Sequence, residues 1–442
     1  MIFKTYNITT FGCQMNEHDS EKLAGMLGEL GYSESQIRND SHVIIINTCS
    51  VREHADEKFF GFLGQLKKVK SENPETIVAI CGCMMQQQHI IDKIKGKYPF
   101  VDLIFGTHNL HKFPELLLNT INEKNKQMDV WEDSGDIVEG IPSKRKYDFK
   151  AFVNIMNGCD NFCTYCIVPY TRGREKSRDP KEIISEIKEL ARTGVKEITL
   201  LGQNVNSYDS EGEFNTSFSD LIYQINEIKE IKRIRFMTSH PKDLSDDLIK
   251  AYVECENLCK HIHLPVQSGS SKVLKAMNRH YTKEHYIEIV GKLKKAVPNI
   301  AISTDIIVGF PGETEEDFNE TLDLVSKVGF DFAYTFLFSK RKGTPASDFD
   351  DQISEEVKHQ RFNRLVELLN SISDGKNKMY INKTIDVLVE GPSKSNDKIF
   401  TGRSESFRPV NFTCDRPCIG EIIPVKITKI KTFSLNGEAE NN

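Results

Sequence analysis

The chain has no apolar run long enough to cross a bilayer, and its first residues, MIFKTYNITTFGC, show no apolar stretch followed by a small-residue cleavage site. Neither a membrane-spanning nor a secreted protein is expected, and the sequence predicts a cytoplasmic one. Positive charge is not in surplus either: 58 Lys and Arg stand against 64 Asp and Glu, for a net charge of -6. With no bulk attraction to nucleic acid, any RNA contact must come from local basic surface. Cysteine, by comparison, is plentiful, at 11 residues. A reducing cytosol keeps thiols free, which disfavours a disulfide framework and makes metal binding or catalysis the leading use of any cluster.

At 442 residues the chain exceeds one ordinary core, so two or three domains are expected. Residues 1–118 alternate β-type runs (YNITTFGC, HVIIINTCS, ETIVAICGC) with amphipathic helices. Leu23, Met26, Leu27 and Leu30 share one helical face before Gly31, and Ala55, Phe59, Leu63 and Leu66 another. Such repetition predicts a parallel α/β sheet with helical cover. Residues 119–147 turn polar and read as a linker. From 148 to 374, six strand-like runs alternate with helical stretches, which predicts a partial (β/α)6 barrel closed by a terminal helix, EEVKHQRFNRLVELLNSI. Residues 375–442 hold short strands separated by turn residues, as in a small antiparallel β-barrel that binds nucleic acid. From Asp374 onward 11 Lys or Arg face 9 Asp or Glu, so this piece is slightly basic where the whole chain is acidic.

The stretch NGCDNFCTYC places Cys159, Cys163 and Cys166 directly after the first barrel strand, at the strand end where such folds carry their chemistry. Thiolates suit iron-sulfur clusters and zinc, and the x3/x2 spacing lets one loop wrap three corners of a cubane. Zinc calls for a fourth Cys or His nearby, and none follows at zinc-finger spacing. Three ligands leave one iron open to a small molecule. In the N-terminal segment Cys13, Cys49 and Cys83 each end a β-type run, so a parallel sheet would bring them to one edge. They form a candidate second triad, again with a free iron. Cys81, two residues before Cys83, is left out of the triad. Cys255, Cys259, Cys414 and Cys418 are read as core packing.

C-x3-C-x2-C with Tyr165 before its last cysteine resembles the signature of radical S-adenosylmethionine (SAM) enzymes. Across nearly the whole chain the motifs TFGCQMNEHDSE, NTCSVREHADEKFFGFLGQLK, GCMMQQ, GCDNFCTYCIVPYTRGREKSR, LLGQNVNSY, HLPVQSGS and TDIIVGFPGET resemble the methylthiotransferases, most of all their MiaB-type branch. The final segment resembles the TRAM domain. The resemblance implies two [4Fe-4S] clusters and two SAM molecules per turnover. One SAM methylates a sulfur held on the N-terminal cluster; the other, on the central cluster, yields the radical that takes hydrogen from carbon 2 of the adenine.

The implied substrate is N6-isopentenyladenosine next to the anticodon of tRNA, and the product is its 2-methylthio derivative. Other branches act on threonylcarbamoyladenosine or on an aspartate of a ribosomal protein, and the stretch CSVREHADEKFFGFLG after Cys49 resembles the first branch. A non-catalytic iron-sulfur protein that binds RNA or passes electrons is the reading of another class; full four-cysteine ligation would favour it, and the two triads argue against it. The implied partners are the tRNA anticodon stem-loop, an electron donor such as flavodoxin or ferredoxin, and a sulfur or cluster carrier protein, with the enzyme a monomer.

Strand-end position nominates Tyr165, Gln203, Asn204, Ser239, Gln267 and Asp305 for SAM, beside the GFPGE turn. For RNA the candidates are Arg172 and Arg174, with Lys176 and Arg178 in the same TRGREKSR run, where a contact to phosphate or to the SAM carboxylate is open, and Arg403, Phe407 and Arg408 in the last segment.

Overall fold

The structure, a computed structural model, describes residues 4–50, 53–133, 135, 137–394 and 396–440. Val51 and Arg52 lie outside the described residues, as do the side chains of 53–57, so the expected packing of Ala55 and part of the CSVREHADEKFFGFLG stretch fall there.

The N-terminal sheet is parallel throughout. Its strands β1 (Thr5–Thr10), β2 (Ser33–Glu34), β3 (Val43–Thr48), β4 (Ile77–Gly82), β5 (Leu103–Phe105) and β6 (Gln127–Asp129) run in the order β2-β1-β3-β4-β5-β6. Every residue of β3, VIIINT, is buried, because helices cover both faces. Val43 and Ile45 pack with Leu23 and Leu27 of helix Gln14–Glu29, whereas Ile44 and Ile46 meet Phe59, Leu63 and Leu66 of helix Glu53–Glu72. The sheet continues into the stretch expected as linker: helix Phe113–Glu123 and strand β6, paired with β5, lie within 119–147 or reach it. Beyond β6 the connector is strapped to helix Gln14–Glu29. The Lys144 N–H donates to the Glu21 carbonyl, and a Cβ added at Gly25 would stand 2.4 Å from the Pro142 carbonyl oxygen.

All six expected barrel strands are present, as β7 (Lys150–Asn154), β10 (Glu197–Leu201), β11 (Arg233–Phe236), β12 (His261–His263), β13 (Ala301–Val308) and β14 (Phe332–Leu337). They form two parallel sheets, β11-β10-β7 and β12-β13-β14, joined by an Ile234–Leu258 bridge, so the strands follow chain order and the barrel stays open between β7 and β14. The cysteine loop leaves β7 through a short antiparallel ribbon, β8 (Met156–Asn157) with β9 (Lys176–Ser177), which closes its neck. Helix Glu355–Lys378 packs Leu365, Leu368, Leu369 and Ile372 against the barrel core.

Strands β15 (Thr384–Ser393), β16 (Asn396–Ser404), β17 (Pro409–Thr413), β18 (Ile422–Lys431) and β19 (Ser434–Ala439) close into a barrel in the order β15-β16-β17-β19-β18. One pairing, β17 with β19, is parallel, where the sequence suggested an antiparallel barrel throughout. This barrel plugs the N-terminal ends of the half-barrel strands. Arg233 and Arg235 of β11 donate to carbonyls of Asp386, Arg403, Ser404 and Glu405, and Phe407 stacks on His261 with ring centroids 5.0 Å apart.

Candidate cofactor and active site

Between β8 and β9 the chain must turn back sharply while carrying three thiols, and its backbone shows how. Gly158 has φ +76, and a Cβ there would lie 1.9 Å from the Arg174 carbonyl oxygen, so only glycine passes the neck beside Cys159. Phe162 takes a left-handed φ of 43. The loop is then pinned from outside: Asn278 Nδ2 donates to the carbonyls of Asn161 and Phe162, and the Thr164 N–H to that of Met277. Tyr165 packs with Val273, Met277, Phe310 and Phe338. Cys163 accepts from Arg279 Nη1 at 3.5 Å. Arg279, itself buried, also donates to the Pro265 carbonyl at 2.7 Å and to the Tyr281 hydroxyl at 3.1 Å. Burial pushes the Cys159 thiol up to about 11 and Cys166 to about 12, so without metal both are protonated.

The nominated SAM residues stand at the neighbouring strand ends. Buried Oε1 of Gln203, Oδ1 of Asn204, Oγ of Ser239 and Nε2 of His240 have no hydrogen-bond partner among the described residues. Orphaned buried polar atoms are rare, and four grouped at the ends of β10 and β11 fit a polar ligand. Tyr281 ties this group to the cysteine loop: its ring meets His240 edge-on at 5.6 Å, and its hydroxyl donates to the Val266 carbonyl. Gln267 sits beside it in a left-handed conformation, φ 68, held by backbone bonds to Asp305 and Ile307. Asp305 Oδ1 is 3.5 Å from His263 Nε2. Cysteine loop, orphaned atoms, Gln267 and Asp305 thus share one end of the half-barrel.

The second triad assembles from three loops that close on one another through glycines. Gly12, at φ +131, would place a Cβ 3.0 Å from Cys49 Sγ, and Gly82, at φ +96, would place one 2.3 Å from the Thr48 carbonyl oxygen. Cys13 and Cys83 follow those glycines, and Cys49 follows Thr48. Cys13 begins helix Gln14–Glu29, and Cys83 opens a 3-10 turn just past β4 rather than ending the strand. A hydrogen bond from Cys49 and the nearby Arg172 cation draw Cys13 down to about 6 against the opposing effect of burial. Burial raises Cys83, with Arg172 partly offsetting it. Cys81, as expected, lies apart, in the apolar cluster under helix Gln14–Glu29. Cys255 is likewise core, and Cys414 and Cys418 pack in the C-terminal barrel.

Among the described residues no three His, Cys, Asp or Glu side chains are arranged to hold a single metal ion. Cubane ligation instead asks each thiolate to bind its own iron, and two sets of three thiols on glycine-shaped loops suit that. The residues present fit [4Fe-4S] clusters held by Cys159, Cys163 and Cys166 and by Cys13, Cys49 and Cys83.

Several basic residues lie elsewhere than the sequence suggested. Arg172 is 8% exposed and faces the N-terminal triad instead of solvent. Arg178 is buried in ion pairs with Glu139 and Glu186. Arg408 is 1% exposed and bonds Asp331, Asn377 and Tyr380, which makes it a joint between the C-terminal barrel and the half-barrel rather than an RNA contact. Lys176 donates to the Gly135 carbonyl. Arg174 stays exposed, over the ring of Phe162. Arg403 and Phe407 line a cavity of about 340 Å³ between β14, helix Glu355–Lys378 and the C-terminal barrel. Sequence reasoning missed Asn16, Asp19, Arg279 and Tyr281, whose partners are all remote or reached by a turn that no local pattern marks.

Three family models match the chain. Residues 5–106 match the one described as "Uncharacterized protein family UPF0004", residues 153–325 the radical SAM superfamily, and residues 378–439 the TRAM domain. A tRNA-2-methylthio-N(6)-dimethylallyladenosine synthase of Acetivibrio thermocellus is 57% identical over 98% of this chain and 90% of its own length. That of Clostridioides difficile is also 57% identical, over 98% and 91%.

The chain belongs to the MiaB-type methylthiotransferase family.

Among solved structures, the radical SAM methyltransferase TsrM of Kitasatospora setae, with cobalamin and a [4Fe-4S] cluster bound, superposes with a TM-score of 0.55 at 13% identity, covering 78% of this chain and 77% of that one. The cobalamin-dependent radical SAM enzyme OxsB gives 0.52 at 14%, over 84% and 58%. At such identity these two show a shared fold alone. For a methylthiotransferase the three matched segments correspond to the parallel sheet, the half-barrel and the closed C-terminal barrel described above.

Proposed function

We propose that this methylthiotransferase converts N6-isopentenyladenosine next to the anticodon of tRNA to its 2-methylthio derivative. The observation that supports the reading is that Arg172, six positions after the last cysteine of one candidate triad, hydrogen-bonds Cys83 of the other. When bound, the clusters and SAM supply one-electron chemistry that takes hydrogen from an unactivated carbon, which acid-base catalysis does not reach.

The protein's own work is placement. Cys159, Cys163 and Cys166 would hold one cluster, with Gln203, Asn204, Ser239, Gln267 and Asp305 placed to meet the polar groups of SAM. Cys13, Cys49 and Cys83 would hold the other, which would supply the sulfur chemistry. Arg174 and Arg403 offer charge to the RNA backbone. A flavodoxin- or ferredoxin-type donor and a sulfur or cluster carrier complete the reaction, which takes place in the cytoplasm. In support of the last point, the relatives are named as tRNA-2-methylthio-N(6)-dimethylallyladenosine synthases.

The test offers the anaerobically reconstituted enzyme anticodon stem-loops with and without the isopentenyl group and looks for carbon-2 methylthiolation by mass spectrometry. Turnover is expected on the isopentenylated RNA. Equal turnover on the unmodified one, or product only with a threonylcarbamoyl group, would overturn the substrate assignment.

A further inference from the structure

Arg172 ends a short helix, Val168–Arg172, that follows the central cysteine loop, yet each polar partner of its side chain among the described residues belongs to the N-terminal domain. Its Nε donates to Cys83 Sγ at 3.2 Å. Its Nη2 donates to Asp19 Oδ2 at 2.8 Å and to Asn16 Oδ1 at 3.3 Å. Asn16 is fixed in turn, because its Nδ2 donates to the carbonyls of Phe11 and Thr48 and to Asn47 Oδ1, and its Oδ1 lies 3.6 Å from Cys13 Sγ. The guanidinium therefore touches the neighbourhood of all three strand-end loops. The two domains also meet on either side of it: the Thr107 hydroxyl donates to the Thr171 carbonyl, and Arg341 donates to the Ser50 carbonyl beside Cys49.

We infer that Arg172 is a positioning residue through which the central loop sets the geometry and charge of the N-terminal cluster, so that the two cofactor sites are built as one unit. The inference rests on the reading of both triads as cluster ligands. Physically, a cation and N–H donor at a ligating sulfur stabilises the more negative, reduced state of a cluster and raises its potential. The rigid fork of arginine spans a sulfur on one side and a carboxylate on the other, a reach that lysine, with one ammonium, does not reproduce. Asp19 keeps the fork aimed, so the sulfur contact depends on a carboxylate that itself hydrogen-bonds no cysteine among the described residues.

The experiment first isolates the N-terminal cluster in a Cys159, Cys163 and Cys166→Ala background, and measures iron per chain and midpoint potential by redox-poised electron paramagnetic resonance. Arg172→Gln is expected to lower the potential. Arg172→Lys and Asp19→Asn are expected to fall between it and the parent, and the exposed Arg192→Gln to leave it unchanged. In the reciprocal background, Cys13, Cys49 and Cys83→Ala, Arg172→Gln is expected to leave the potential of the central cluster unmoved. A merely structural role would lower thermal stability without shifting the potential; that result, or an equal shift at both clusters, overturns the inference. Should Arg172→Gln not fold, Arg172→Lys and Asp19→Asn carry the test, and an unshifted potential in both overturns it. A chain that holds no cluster at the N-terminal triad even with Arg172 intact refutes instead the reading on which the inference rests.

Discussion

In the central loop one turn of chain, Cys159 to Cys166, supplies all three thiols, whereas Cys13, Cys49 and Cys83 come from three successive loops of a parallel sheet. Each site also holds one buried arginine against a cysteine sulfur, and the two arginines are balanced differently. Arg172 has a carboxylate, Asp19, at 2.8 Å. Arg279 bonds a carbonyl, a hydroxyl and the Cys163 sulfur, and no Asp or Glu pairs with it among the described residues. In the N-terminal site the arginine and Asp19 thus offset each other before any metal arrives, and Cys13 adds one acidic thiol. The central site carries a cation whose natural counter-charge is the thiolates that metal loading creates. One site is preformed by its fold, and the other is completed by its cofactor.

The largest test of that contrast removes the thiols. With Cys159, Cys163 and Cys166→Ala, iron for one cluster is expected to remain while SAM cleavage vanishes; with Cys13, Cys49 and Cys83→Ala, cleavage is expected to persist while methylthiolation is lost. Iron analysis and 5′-deoxyadenosine release read these outcomes. Retained cleavage in the first variant would overturn the assignment of the central triad.

A second test compares the arginines in the metal-free chain. Arg172→Met leaves Asp19 buried without its cation and is expected to cost about 3–5 kcal/mol. Arg279→Met strands only neutral acceptors and is expected to cost about 1–2 kcal/mol. Denaturant unfolding measures both, and equal costs would erase the difference in charge balance.

How far the sequence discloses each site follows from the same contrast. The central triad is legible because its spacing is local and its place after β7 is given by pattern. Gln203, Asn204 and Ser239 are legible by strand-end position, and the structure shows an unsatisfied polar atom on each. The N-terminal triad is legible only through the inference of a parallel sheet, which places strand ends side by side. Arg172 is not legible at all. In TRGREKSR it reads as one more basic residue near RNA, and only tertiary packing brings Asp19 and Cys83, 153 and 89 residues away, to its guanidinium. Arg408 fails for the same reason, since Asp331 is 77 residues distant. Strand β6, QMD, has little strand character of its own and exists because β5 offers it an edge.

Thiol chemistry sharpens the comparison further. In metal-free protein at pH 7, Cys13, drawn down to about 6, is mostly thiolate, while Cys159 at about 11 and Cys166 at about 12 are almost wholly thiol. The thiolate fractions differ on the order of ten-thousandfold. The lower intrinsic nucleophilicity of the more acidic thiol returns part of that, which leaves Cys13 about a hundredfold faster toward iodoacetamide. Peptide mapping after timed alkylation reads the rates. Labelling of Cys13 should decline as pH falls through about 6, whereas that of Cys159 and Cys166 should keep rising beyond pH 9.

The smallest expected effect lies at the rim of the central loop. Glu175 bonds the Ser207 and Ser210 hydroxyls, and burial pushes its carboxyl up to about 7, with Asp160 and Asp243 adding to the rise and the two serines opposing it. A folded value above the unfolded one means that the folded chain holds the proton more tightly. The carboxylate therefore costs nothing below about pH 4.5, and its penalty grows as pH rises through about 7. Allowing for its partial exposure, that penalty is about 1 kcal/mol at pH 8. Glu175→Gln should then melt about 2 °C higher than the parent at pH 8 and level with it at pH 5. Identical melting at both pH values would mean that the surroundings of the central loop tolerate an anion as readily as those of Cys13 do, and the electrostatic difference between the two sites would reduce to their arginines alone.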